Sequence, residues 1–179
     1  MIRLALAASA FAVIAVPAFA QEALCFQNEN FLVIAQERSE DVGMDVLARA
    51  PARGKIKCEY AEKAGDFIVN ADGEPLWYQG LAGNYLVLTR STGPDGDVVI
   101  YDLANEAIVI DEPADNEVVV TEDSVTFWQR TKAGTAKNCP EYAEYTSNGL
   151  GAIIAEERVL DITSGEVKST GEKRCSATQ

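Results

Sequence analysis

The stretch Asn84-Tyr85-Leu86-Val87-Leu88, then Thr92-Gly93-Pro94-Asp95-Gly96, then Val98-Val99-Ile100-Tyr101 sets the reading of the whole chain. Two β-branched and aromatic runs of strand length flank a Gly-Pro-Asp-Gly cluster. Proline pre-sets one turn torsion and glycine permits positive φ, so the cluster reverses the chain. The unit is a β-hairpin.

The same grammar extends outward. Phe67-Ile68-Val69 and Leu76-Trp77-Tyr78 flank Asp72-Gly73, which reads as a tight hairpin. Ala107-Ile108-Val109-Ile110 and Val118-Val119-Val120-Thr121 bracket an acidic segment centred on Pro113, read as a loop. Asp123-Ser124 leads into Val125-Thr126-Phe127-Trp128, and the apolar runs resume at Leu150 to Ala155 and Arg158-Val159-Leu160. Upstream lie Phe31-Leu32-Val33-Ile34 and Met44-Asp45-Val46-Leu47-Ala48, separated by the polar Ser39-Glu40-Asp41 turn. Ile56, Cys58 and Tyr60 alternate with Lys57 and Glu59 as a half-buried strand would. No long helical pattern interrupts the series. The expectation is an all-β domain over residues 21–179, with about ten to twelve strands.

A degenerate repeat emerges once the strands are marked. Asn30-Phe31-Leu32-Val33-Ile34 parallels Asn84-Tyr85-Leu86-Val87-Leu88, and Gly43 and Gly96 open the strands that follow. Tyr101-Asp102-Leu103 is echoed by Leu160-Asp161-Ile162, each Asp placed to accept from the backbone just ahead and set a turn. Apolar-Asp-apolar before a Ser/Gly turn resembles the outer hairpin of a β-propeller blade. A closed propeller needs about four blades of ~40 residues, and the chain, 159 residues once a 20-residue leader is taken from its 179, shows at most three copies of the unit. Antiparallel hairpins in a two-sheet sandwich are therefore expected. A small barrel or a pseudo-repeated fold of blade-like hairpins is the alternative.

Residues 1–20 read as a signal peptide: Arg3 gives a positive start, Leu4 to Val16 is apolar, and Ala18-Phe19-Ala20 suits cleavage after Ala20. That apolar run is too short to span a ~30 Å bilayer core. Glu22-Ala23-Leu24 before Cys25 argues against lipid attachment, so the expected location is periplasmic or secreted, without membrane insertion after cleavage. In an oxidising compartment Cys25, Cys58, Cys139 and Cys175 read as two disulfides. Cys25–Cys58 with Cys139–Cys175 closes two local loops, and a Cys25–Cys175 clamp is the alternative.

The chain carries 28 acids, 15 bases and no histidine. A formal charge of -13 argues against nucleic acid, whose phosphates call for Lys and Arg. Without histidine there is no Ser-His or Cys-His pair and the commonest metal ligand is missing. No cofactor, metal or catalytic motif is expected. Residues 64–129 hold 13 acids and a single base, Arg90. Within them, Asp111, Glu112, Asp115 and Glu117 crowd around Pro113. Such a patch suits a solvated face or a docking surface for a basic protein. Tyr142 and Tyr145, beside Glu141 and Glu144, read as an exposed contact pair.

The function expected from these features is that of an exported, non-enzymatic β-domain that binds a macromolecular partner through its acidic hairpin region. A periplasmic inhibitor of a basic cell-wall lytic enzyme belongs to this class. A carbohydrate or small-ligand module using Trp77, Tyr78 and Trp128 is the alternative, and a hydrolase built on paired carboxylates is a further one.

Overall fold

The computed structural model describes residues 22–69, 72–91 and 95–179. The signal-peptide reading of residues 1–20 falls outside them. The chain forms two antiparallel sheets. β1 (Leu24–Gln27), β2 (Leu32–Glu37), β3 (Met44–Arg49) and β4 (Phe67–Ile68) make a four-stranded sheet in chain order. β5 (Leu76–Ala82), β6 (Tyr85–Ser91), β7 (Gly96–Asp102), β8 (Ala107–Val120), β9 (Ser124–Ala133), β10 (Gly151–Asp161) and β11 (Val167–Thr178) make a seven-stranded meander. Among the described residues a single short helix, α1 (Tyr142–Ser147), lies between β9 and β10. The all-β expectation and both local disulfides hold, with Cα separations of 5.7 Å for Cys25–Cys58 and 5.3 Å for Cys139–Cys175.

Strand alternation assigns the layers. Val33, Ala35, Val46 and Ala48 of the small sheet meet Leu86, Leu88, Val99 and Tyr101 of the large one in a single core cluster. The opposite face of the small sheet, Leu32, Ile34 and Leu47, packs under Ala52, Ile56 and Tyr60. Both faces of β2 are thus covered, which is why Phe31 to Ile34 is apolar without alternation. Each fully buried leucine in the inter-sheet layer contributes roughly 1.5–3 kcal/mol.

The large sheet folds over on itself rather than lying flat. A Cβ added to Gly80 of β5 would meet Val120 of β8 at 2.8 Å, and one on Gly83 would meet Ile162 at 2.6 Å. In a flat sheet strands three and five places apart stand ~14 and ~24 Å from each other. The fold runs through β8. Ala107–Ala114 pairs with β7, whereas Val118–Val120 pairs with β9, and the register shifts between Ala114 and Val118. Inside the fold, Val87, Val98, Ile100 and Ile110 meet Val125, Phe127 and Leu160. The result is three stacked tiers of four strands, with β8 serving two of them, open and not closed as a barrel.

The repeat marks this stacking. Leu103 N donates to Asn84 O at 2.9 Å, and Ile162 N donates to Asp123 O at 3.0 Å, the same bond in successive tiers. Asp102 accepts from Ala104 N at 3.0 Å and Asp161 from Ser164 N at 2.7 Å, so both aspartates set their turns as expected. Leu32 and Ile34 face outward from the small sheet while Leu86 and Leu88 face that sheet. Matched residues therefore point the same way along the stack, as in neighbouring propeller blades.

Three local expectations are corrected. Asp72-Gly73 is not a hairpin, because β4 and β5 belong to different sheets and the segment crosses between them. Residues 56–60 form no strand; Cys58 ties them across the outer face of the small sheet, where Ile56 and Tyr60 cover apolar side chains. The acidic segment around Pro113 is strand, not loop. Proline is tolerated there because β8 has a ladder partner on one side only at that point.

Candidate functional site

The alternation that buries Leu86 and Leu88 places Arg90 next in the same row, where the row runs out of core. Its guanidinium donates to both carboxylate oxygens of Asp111, at 2.9 and 2.8 Å, to Asp97 at 2.9 Å and to Glu74 at 3.0 Å. The bonds to Asp111, with those to Asp97, raise the Arg90 pKa above its ordinary value against the opposing pull of burial.

A second cluster forms around Asp115, which is 8% exposed. Arg130, Ala155 and Arg174 are cross-strand neighbours on β9, β10 and β11. The small alanine between them lets both guanidiniums close on one carboxylate. Arg130 Nε donates to Asp115 at 3.0 Å, Arg174 Nη2 at 2.7 Å and Ser176 Oγ at 2.6 Å. Burial alone would raise the Asp115 pKa; the donors from Ser176, Arg174 and Arg130 outweigh it and hold the group below the usual range. Arg130 also pairs with Asp95 at 3.1 Å, and Arg174 pairs with Glu117 while lying 4.4 Å from the centre of the Trp128 ring. Glu112 accepts from Gln129 at 3.1 Å. A cleft of about 300 Å³ between the clusters is lined by Pro75, Arg90, Ser91, Asp95, Asp97 and Arg130.

Most of the acidic group singled out around Pro113 is therefore matched by arginine. Asp111, Asp115 and Glu117 are ion-paired, and Asp115 is buried and turned away from any partner. Arg130 and Arg174, 15 and 59 residues from Asp115, supply the charge that is missing from its local sequence.

A second group of acids, most of them without an ion pair among the described residues, gathers at one end of the stack. Asn28 Nδ2 donates to Gly83 O at 2.8 Å, and Asn30 Nδ2 donates to Asn84 Oδ1 at 2.9 Å. Together with the Leu103–Asn84 and Ile162–Asp123 backbone bonds and the close approach of Gly83 to Ile162, these contacts bring five turns together. Residues 28–31, 81–85, 102–106, 121–125 and 160–167 contain Glu29, Asp102, Glu106, Glu122, Asp123, Asp161 and Glu166, and no lysine or arginine. Among these acids only Glu166 has an ion pair among the described residues, with Lys168. Asp161 is held below the usual carboxylate range by the Ser164 backbone N–H and hydroxyl. A cleft of about 370 Å³ opens here, walled by Asn28, Glu29, Asn30 and Glu122 and floored by Leu81 and Ala82. Acidic walls over an apolar floor match a lysine or arginine side chain, whose methylene stem and cationic head need different surroundings.

The tyrosine pair is corrected. Tyr142 and Tyr145 lie three apart on α1, and both pack against Ala152, Ile154 and the Cys139–Cys175 bridge, half-buried. Glu141 and Glu144 are exposed. Cys139, Glu141 and Cys175 approach one another, but both sulfurs are committed to the disulfide and offer no thiolate to a metal. Trp77 and Tyr78 both pack on the inter-sheet core, Trp77 donating to Ser91 O at 3.0 Å. Tyr78 stacks on Phe26 at 3.7 Å, and burial pushes its hydroxyl up to about 12. Trp77 and Tyr78 are thus engaged internally, and Trp128 lies under the Arg174 guanidinium.

No protein-family model matches this chain, and neither a curated protein nor a solved structure matches it.

Proposed function

We propose that the protein is an exported, non-enzymatic β-domain that binds a basic macromolecule, and that the docking surface is the turn end of the stack. The observation that carries this reading is the convergence of five turns holding seven acids and no base. Around β8, by contrast, arginines stand beside the acids. Carboxylates left unmatched on turns fixed by a rigid scaffold accelerate encounter with a cationic surface and select against anionic ones. The Glu29–Glu122 cleft accommodates one lysine or arginine of the partner. Two disulfides are consistent with an oxidising extracellular compartment. An inhibitor of a basic cell-wall lytic enzyme in the periplasm is the most specific form of this reading.

The test is retention on an immobilised basic lysozyme at low salt. Binding is expected to vanish above about 0.3 M salt, where screening acts within roughly 6 Å. Loss on changing Glu29 and Glu122 to glutamine, with Asp97→Asn without effect, supports the turn end. Retention that survives both high salt and those changes refutes it. Lysozyme activity unaffected by saturating protein removes the inhibitor form alone.

A further inference from the structure

We infer that the free edge of β8, residues 107–112, receives an extended lysine- or arginine-bearing segment of the partner as an added strand. The inference rests on the basic-partner reading above and names how the partner is held.

Among the described residues, the edges of β1, β4, β5 and β11 are guarded. β1 and β4 are four and two residues long. β5 lies against the second half of β8 through the Gly80–Val120 contact. β11 carries exposed Lys168 and Lys173, the residue type that discourages edge pairing. Residues 107–112 are neither short, nor covered, nor lysine-bearing; their one irregularity is the register shift at Val109. They pair with β7 on one side, while β9 joins β8 only at Ala114 and Val118–Val120 and then continues along β10. Among the described residues no strand lies on their other side. Ile108 and Val109 are each 48% exposed, side by side where the β7–β8 register shifts.

Charge identifies the occupant. Along this edge Asp111 is matched by Arg90, whereas the acids at its two ends are not. The edge starts beside Glu106 at the turn end and finishes at Glu112, and neither has an ion pair among the described residues. A strand added here gains main-chain hydrogen bonds, apolar contact with Ile108 and Val109, and acids at both ends for its cationic side chains.

The test measures anisotropy of a labelled Lys-Val-Lys-Val-Lys-Val peptide with the full chain at low salt, beside the same peptide N-methylated at alternate residues. N-methylation and Val109→Lys are each expected to weaken binding about tenfold or more. The N-methylated peptide needs no variant, so the test survives if Val109→Lys fails to fold. Equal binding of both peptides overturns the inference. If lysozyme is retained and the peptide is not, the edge is wrong and the acidic turn end stands; if neither binds, both readings fall. Self-association by sedimentation that Val109→Lys abolishes would assign the edge to a second copy of this chain and overturn the partner strand.

Discussion

The middle of β8 and the turn end hold carboxylates of the same chemical kind in opposite circumstances. Around β8, Arg90, Arg130 and Arg174 satisfy Asp97, Asp111, Asp115 and Glu117. At the turn end no arginine approaches Glu29, Asp102, Glu106, Glu122 or Asp123 among the described residues. The first group ties strands together across the folded sheet, since Asp115 bonds to β9 and β11 at once. The second group adds repulsion and no cross-strand bond from its carboxylates to an arginine. Stability is therefore expected to depend on the first and binding on the second.

Asp115→Ala breaks this division most sharply. It leaves Arg130, whose side chain is 7% exposed, and Arg174 side by side without the carboxylate they share, held by their outer partners Asp95 and Glu117. Removing one partner of a buried ion pair costs about 3–5 kcal/mol, so the urea midpoint should fall steeply. A midpoint unchanged by the substitution would mean that the cluster does not brace the sheet.

The same residue sets an acid limb. Its folded pKa is held below the unfolded value of about 3.9. Its stabilisation is then complete above the unfolded value and is lost as pH falls through the folded one. Stability measured between about pH 5 and pH 2 should decline less steeply in Asp115→Asn than in the parent. Parallel declines would place the acid sensitivity elsewhere.

Arg90→Met is expected to cost less, about 1–2 kcal/mol, because its cluster is partly exposed and screened. The loss should shrink in high salt, where the repulsion left among Glu74, Asp97 and Asp111 is damped. A cost that does not change with salt would point to lost packing of the arginine stem.

Local chemistry made much of this legible in advance. Asp102 and Asp161 bond within their own turns, so four residues of sequence suffice to read them. Cys25–Cys58 and Cys139–Cys175 close short loops, and strand alternation sorts Val33 and Ala35 from Leu32 and Ile34. What escaped depends on long-range placement. Nothing near Asp115 announces Arg174, 59 residues on. The fold in β8 depends on which strand each half pairs with, and Pro113 signalled a loop because its lack of a second ladder partner is a tertiary fact. The turn-end acids are dispersed over five segments, so charge counting by segment pointed to the matched group instead.

Glu122→Gln with Asp123→Asn is the mildest change to the fold and the sharpest to the comparison. The backbone carbonyl of Asp123 that accepts from Ile162 is untouched, and neither side chain has an ion pair to lose. Surface changes of this kind stay within about 0.5 kcal/mol. Relief of repulsion among neighbouring acids even favours a small gain. Retention on a basic protein should nevertheless drop, because Glu122 walls the cleft at Gly83 and two charges leave the surface that does the steering. Unfolding midpoint and salt-dependent retention, measured on this variant and on Asp115→Asn, should move in opposite patterns: binding without stability in one, stability without binding in the other. If both variants lose stability and binding together, the two acid groups are not separate in function, and the matched cluster around β8 belongs to the docking surface.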